Sequence, residues 1–174
     1  LTSLIGRTRE IAELRDALGQ TRLLTLTGSG GARKTRLAQR LAAEVLINYR
    51  DGVWYAELAP LNDAGLIPVA LVQLFGLTSM DRPSFEQLAD FLRERQALLV
   101  LDNCEHLIDG SADVAQRLLT ACAQLTLLTT SREALNVEGE MTWRVPPMQA
   151  DEASTLFVER AHLAQPGRSF SAGD

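Results

Sequence analysis

Residues Leu24-Thr25-Leu26-Thr27 run directly into Gly28-Ser29-Gly30-Gly31-Ala32-Arg33-Lys34-Thr35, and this junction constrains the chain more than any other stretch. A β-propensive run, a glycine-rich turn and a helix opening on Lys-Thr make the order that a phosphate cradle requires. Glycines let successive backbone N–H groups turn inward with no Cβ in the way. The helix that follows adds its unpaired N-terminal amides and the positive end of its dipole. In such a P-loop the lysine reaches the β/γ-phosphates and the next hydroxyl ligates Mg²⁺. Those roles fall to Lys34 and Thr35, with the backbone of residues 28–33 as the cradle and Arg36 completing a small basic cluster. One position breaks the pattern, which wants glycine just before the lysine where this chain has Arg33. A glycine-rich turn that binds nothing is the plainer alternative, and loop, lysine and flanks together favour the cradle.

The flanks suit it. Arg22 to Thr27 is short and apolar enough for a buried strand, and after Thr35 the residues Leu37, Leu41 and Val45 recur every four positions, with Ala38, Ala42 and Leu46 beside them. That is one apolar stripe on a helix. A chain of 174 residues is long enough for one α/β domain, and two full domains are not expected. No apolar run approaches the ~20 residues of a membrane span, and no signal peptide opens the chain. The net charge of -5 speaks against a nucleic-acid groove in this segment. Two cysteines, Cys104 and Cys122, make neither a disulfide framework nor a metal pair, so a cytoplasmic location is expected. The ends, Leu1-Thr2-Ser3 and Ser171 to Asp174, suggest a module excised from a longer protein.

Along the chain, Ile11, Leu14 and Leu18 mark a short amphipathic helix before the loop. Val53 to Leu58 reads as a second strand, ended by Pro60. Asn62 can cap a helix whose stripe is Leu66, Ala70, Leu71 and Leu74, with Pro68 near its first turn, where proline does least harm. Ser84 and Gln87 form a capping box for a helix burying Phe85, Leu88, Ala89 and Leu92. Ala97 to Leu101 is continuously apolar, as a strand buried on both faces of a parallel sheet must be. A helix near 111–122, a strand over 125–130, a strand over 141–145 and a final helix from Asp151 complete the pass. Trp54, Trp143 and His162 look structural. Strands alternate with helices, so the fold class expected is α/β, three layers deep, with a mostly parallel five-stranded sheet between helices.

Two strand ends carry further chemistry. Asp102 closes the apolar run 97–101, where a P-loop protein places its Mg²⁺-organising carboxylate; alone, such an aspartate is as well a cap for turn amides. Thr130-Ser131-Arg132 closes the next apolar strand, and strand C-termini rim the ligand crevice in open α/β sheets. Arg132 is placed to read the γ-phosphate there, unless it is merely a solvated arginine opening a loop.

With these segments in hand, the chain resembles the nucleotide-binding domain of STAND NTPases. It is close to the NB-ARC-like ATPase modules of large bacterial transcriptional regulators of the LuxR and antibiotic-regulatory types. The resemblance rests on Leu4-Ile5-Gly6-Arg7 with Glu10, the loop Gly28 to Thr35, Val53-Trp54 with Leu58 to Leu61, Leu98 to His106, Thr130 to Glu133, and Trp143 to Pro147. It implies an ATP/ADP switch with Mg²⁺ as cofactor, coupling a sensor to a DNA-binding output domain, and nucleotide contacts from Ile5, Gly6 and Arg7. Taken locally, Arg7 is equally an exposed arginine leading a helix. The chain departs from the family at Arg33. It departs again at Asn103, where many ATP-hydrolysing relatives of such a sheet carry a catalytic glutamate; Glu105 and His106 are the nearby substitutes.

The expectation is therefore one nucleotide-binding domain over residues 1–174, with 148–174 starting the connection to a following module. Hydrolysis is expected to be slow or absent. Catalytic roles, as far as any exist, fall on Lys34, Asp102, Glu105 and Arg132, and metal binding on Thr35 and Asp102. Expected partners are nucleotide, flanking sensor and output domains, and a second copy in a nucleotide-dependent way, without direct contact to nucleic acid or membrane. Two alternatives stay open: a nucleotide-dead scaffold working through protein contacts, and a small-molecule phosphotransferase, for which no acceptor base stands out.

Overall fold

A computed structural model describes residues 8–29, 33–77 and 85–146. The chain divides into two units, Glu10–Val145 and a second formed by 1–9 with 146–174. Nearly all of the second lies outside the described residues, as do the expected capping box at Ser84, the final helix from Asp151 and His162.

In the first unit, strands β1 (Leu23–Thr27), β2 (Val53–Glu57), β3 (Leu98–Asp102), β4 (Thr126–Ser131) and β5 (Glu140–Arg144) form one sheet. Its order is β2-β3-β4-β1-β5, and every neighbouring pair is parallel. The α/β class and the five-stranded parallel sheet expected from the alternating pattern are thus present. The helices are α1 (Thr8–Leu18), α2 (Arg33–Val45), α3 (Ile67–Leu74), α4 (Phe85–Leu92) and α5 (Ile108–Ala121).

Chain direction explains the layering. From β1 the chain crosses to the far edge at β2, then walks back through β3 and β4 toward β1. Parallel crossovers are right-handed, so a reversal of direction sends the connecting helices to the opposite face. Accordingly Leu37, Leu41 and Val45 of α2 pack with Leu98, Val100 and Leu128 on one side. Leu71, Leu88 and Leu118 of α3, α4 and α5 pack with Leu99, Leu101 and Leu127 on the other. Successive residues of β3 alternate between the two cores, which is why that strand reads as an unbroken apolar run. At Gly110 helix α5 meets the turn before α3 so closely that a Cβ would lie 2.3 Å from Cβ of Ala64. Only glycine fits there.

Three local expectations are corrected. Asp63, not Asn62, caps the segment after β2: its side chain accepts from the N–H of Gly65 over a 3₁₀ turn, Ala64–Leu66, and the α-helix starts only at Ile67. Helix α5 begins at Ile108, earlier than the apolar stripe suggested, and Cys122 lies just past its end. Leu46 does not continue the α2 stripe. The backbone tightens to a 3₁₀ turn over Leu46–Asn48, which shifts the angular step per residue and leaves Leu46 54% and Ile47 92% exposed.

Candidate functional site

The sheet order sets the site. Loops leaving β1 and β3 diverge to opposite faces, so the C-terminal tips of β1, β4 and β3 rim a crevice, the place where open α/β sheets bind ligands. Register carries the expected groups to that rim: Thr27 pairs with Ser131, and Leu101 with Thr129, so Asp102 and Thr130 follow side by side.

The loop begins at Gly28 with φ +150, and a Cβ there would stand 3.4 Å from the carbonyl oxygen of Val145. Glycine is thus needed where the loop leaves β1, beside the end of β5. Lys34, 4% exposed, folds back so that Nζ donates to the carbonyl oxygens of Gly28 (3.0 Å) and Ser29 (3.3 Å). Among the described residues it has no carboxylate partner. Arg33 is the first residue of α2, so its backbone is helical and unstrained. Its Nη2 is buried without a hydrogen-bond partner. Arg36 is partly buried in the first turn of the same helix. Gly30, Gly31 and Ala32 lie outside the described residues, as do Ile5, Gly6 and Arg7.

Asp102, 3% exposed, is the hub. Its Oδ1 accepts from the Thr35 hydroxyl at 3.0 Å and from the Thr130 hydroxyl in a short contact, and its Oδ2 accepts from the Tyr55 phenol at 2.6 Å. The N–H of Asn103, in left-handed conformation at φ 68, donates to Thr130 Oγ1 at 2.9 Å. Sequence reasoning assigned Tyr55 no role, since an aromatic on a strand reads as core. Burial, reinforced by the adjacent Asp102 carboxylate, pushes the Tyr55 phenol well above its ordinary pKa. It therefore stays a hydrogen-bond donor at neutral pH.

The outer groups are looser. Arg132 is 69% exposed at its side chain, and its Nε lies 3.5 Å from Glu105 Oε1; the other Glu105 oxygen is buried without a hydrogen-bond partner. His106 is turned away toward the loop after β2, with Nε2 2.9 Å from the carbonyl oxygen of Leu61. Burial pushes the Cys104 thiol up to about 12, which makes it inert at neutral pH.

The donor set suits a nucleotide with Mg²⁺. Among the described residues this buried ammonium, at the start of a helix, is held by neutral carbonyls and has no counter-anion, which phosphate would supply. Mg²⁺ is commonly held by one or two carboxylates with substrate phosphates and water completing its shell, which fits the Thr35–Asp102 pair. Among the described residues, no group of three or more histidine, cysteine or carboxylate side chains comes together to hold a metal unaided. No helix there is long and apolar enough to cross a membrane.

No family model matches the chain. It is 44% identical over 156 residues to a "Putative HTH-type transcriptional regulator" of Mycobacterium tuberculosis, a match covering 88% of this chain and 18% of that protein. It is 40% identical over 163 residues to an uncharacterized protein of the same organism, covering 92% of this chain and 42% of the relative. The chain thus spans less than half the length of either. Among solved structures it is similar to Cdc6p from Pyrobaculum aerophilum, with a TM-score of 0.70, 17% identity, and 94% of this chain against 51% of that one. The Aeropyrum pernix ORC2 protein, solved in ADPNP-ADP complexes, gives 0.67 at 14% identity, covering 93% and 53%. A STAND signal-transduction ATPase with a tetratricopeptide-repeat sensor from Pyrococcus horikoshii gives 0.60 at 16% identity, covering 97% and 26%. Identities this low establish architecture alone, and the architecture is plain: the chain has the P-loop NTPase fold.

Proposed function

We propose that this domain binds ATP or ADP with Mg²⁺ and acts as a regulatory switch within a longer regulator, turning nucleotide over slowly or not at all. The observation that carries the reading is the meeting of Thr35 and Asp102 at 3.0 Å beside a buried Lys34 that has no carboxylate partner among the described residues. Lys34 neutralises phosphate, the 28–33 backbone cradles it, Thr35 and Asp102 hold the metal, and Arg132 reads the γ-phosphate from the tip of β4. Bound Mg²⁺ would neutralise charge on the β- and γ-phosphates. Slow turnover follows from Asn103 at the strand end and from His106 being occupied elsewhere. The mycobacterial relative named as a transcriptional regulator, of which the matched region is a small part, supports a place within a longer regulator. In this reading the domain is an NB-ARC-like switch whose nucleotide-bound form self-associates, and the fold it shares with a protein named as a STAND ATPase is compatible with that.

Asp102 gives the direct test. Because Mg²⁺ acts on the β/γ-phosphates, Asp102→Ala is expected to weaken Mg-ATP binding several-fold while leaving metal-free ATP little changed. Titration calorimetry with and without EDTA measures both. Equal losses in the two conditions would return Asp102 to the role of a cap.

A second reading, a nucleotide-dead scaffold, is favoured by Arg33, which stands where the P-loop pattern has glycine and has its Nη2 buried without a hydrogen-bond partner. Absence of binding by the unmutated chain in either condition would select it.

A further inference from the structure

Asp102 is bound by more than the metal-site threonine. Among the described residues three hydroxyls donate to it: Thr35 and Thr130 share Oδ1, and Tyr55 holds Oδ2. Tyr55 lies on β2 opposite Val100, and the next pair along the register is Ala56 with Leu101, so Asp102 and Tyr55 face the same side of the sheet, two residues apart. That diagonal distance suits a tyrosine, whose ring spans it and whose hydroxyl lands on the carboxylate. On its far side the phenol oxygen has Gln39 Nε2 of α2 at 3.5 Å. The phenol thus accepts from the helix that follows the loop and donates to the carboxylate that serves the metal.

We propose that Tyr55 is a positioning residue for the metal-binding carboxylate. It fixes the rotation of Asp102, so that Oδ1 stays on Thr35 and the remaining lone pairs face the phosphate side of the crevice. The inference rests on the nucleotide reading above and adds to it the residue that tunes its dependence on Mg²⁺. Partners that orient a metal-site carboxylate without touching the metal commonly alter metal affinity when removed. The opposite effect is conceivable on charge alone, since losing a donor concentrates negative charge on Oδ2. However, Tyr55 occupies one lone pair in the presence and absence of metal alike, so its charge-dispersing effect largely cancels between the two. The freedom gained by the carboxylate does not cancel, because only the metal-bound state demands one orientation.

Tyr55→Phe keeps the ring and removes only the hydroxyl. Calorimetric titration of ADP, with Mg²⁺ and with EDTA, on the unmutated chain, Tyr55→Phe, Asp102→Ala and the double variant separates the outcomes. The gain in affinity that Mg²⁺ confers is expected to fall about fivefold in Tyr55→Phe, less than the roughly 10- to 100-fold usual for such partners because Thr35 and Thr130 remain. Metal-free affinity should be unchanged, and the phenylalanine should have no further effect once Asp102 is alanine. An undiminished Mg²⁺ gain, equal losses with and without metal, or an effect that persists in the Asp102→Ala background would each overturn the role of Tyr55 while leaving nucleotide binding intact. Failure of the unmutated chain to bind ADP in both conditions would overturn the nucleotide reading itself, and the role of Tyr55 with it.

Discussion

Lys34→Ala is expected to weaken both ADP and ATP about 10- to 100-fold, the loss of a charge-assisted contact of roughly 1.5–3 kcal/mol. Among the described residues the ammonium has the carbonyl oxygens of Gly28 and Ser29 as its partners, and it is almost wholly shielded from water. Those neutral partners offset part of its desolvation; a phosphate offsets more, because both charge and hydrogen bond are satisfied together. The loss should be similar with and without Mg²⁺, in contrast to Asp102→Ala, since the lysine meets phosphate directly. Fluorescence or calorimetric titrations at one ionic strength measure it. Retention of affinity within experimental error would mean that phosphate is not bound at this loop, however well the helix and strand around it are placed.

How far these groups were legible in the chain depends on what each needs from its neighbours. The strands of the sheet are apolar runs whose burial is local information, and they fall within a residue or two of where periodicity puts them. Lys34, Thr35 and Asp102 stand out because residue type and spacing announce a phosphate loop and a strand-end carboxylate. The order of the strands was not legible: that β4 separates β1 from β3 is a long-range outcome with no short-range signal. The start of α3 was misplaced by small competing caps, Asn62 and Asp63 being neighbours of similar capping strength. Tyr55 was missed for a different reason. Its ring serves the core like any strand aromatic, and its hydroxyl acquires a role only once the register sets β2 beside β3. A weak signal existed in the alternation of β2, which turns Tyr55 and Glu57 to one face and Trp54 and Ala56 to the other. Without strand order, that pattern does not select Asp102 as a partner.

Arg33→Gly is expected to tighten Mg-ATP binding about tenfold, a gain of about 1.4 kcal/mol, and to raise hydrolysis from a very low baseline. Charge alone predicts the reverse, since the substitution removes a cation beside a phosphate site. Two features of the structure decide the sign. Nη2 of Arg33 is buried without a hydrogen-bond partner on a partly buried side chain, so this nitrogen is turned inward instead of being held out to an incoming anion. The backbone is already helical at this residue, so glycine relieves no dihedral strain there, and the benefit must come from removing side-chain bulk where loop and phosphate approach. Glycine at the start of a helix costs up to about 1 kcal/mol of helix stability, while a buried charged donor left unpaired costs about 1–3 kcal/mol or more. The variant should therefore fold at least as well as the unmutated chain, which thermal unfolding without nucleotide measures. Titration of both proteins at matched ionic strength then decides between bulk and charge: unchanged affinity in the glycine variant would show that the site tolerates Arg33, and weaker affinity would make Arg33 a useful phosphate ligand.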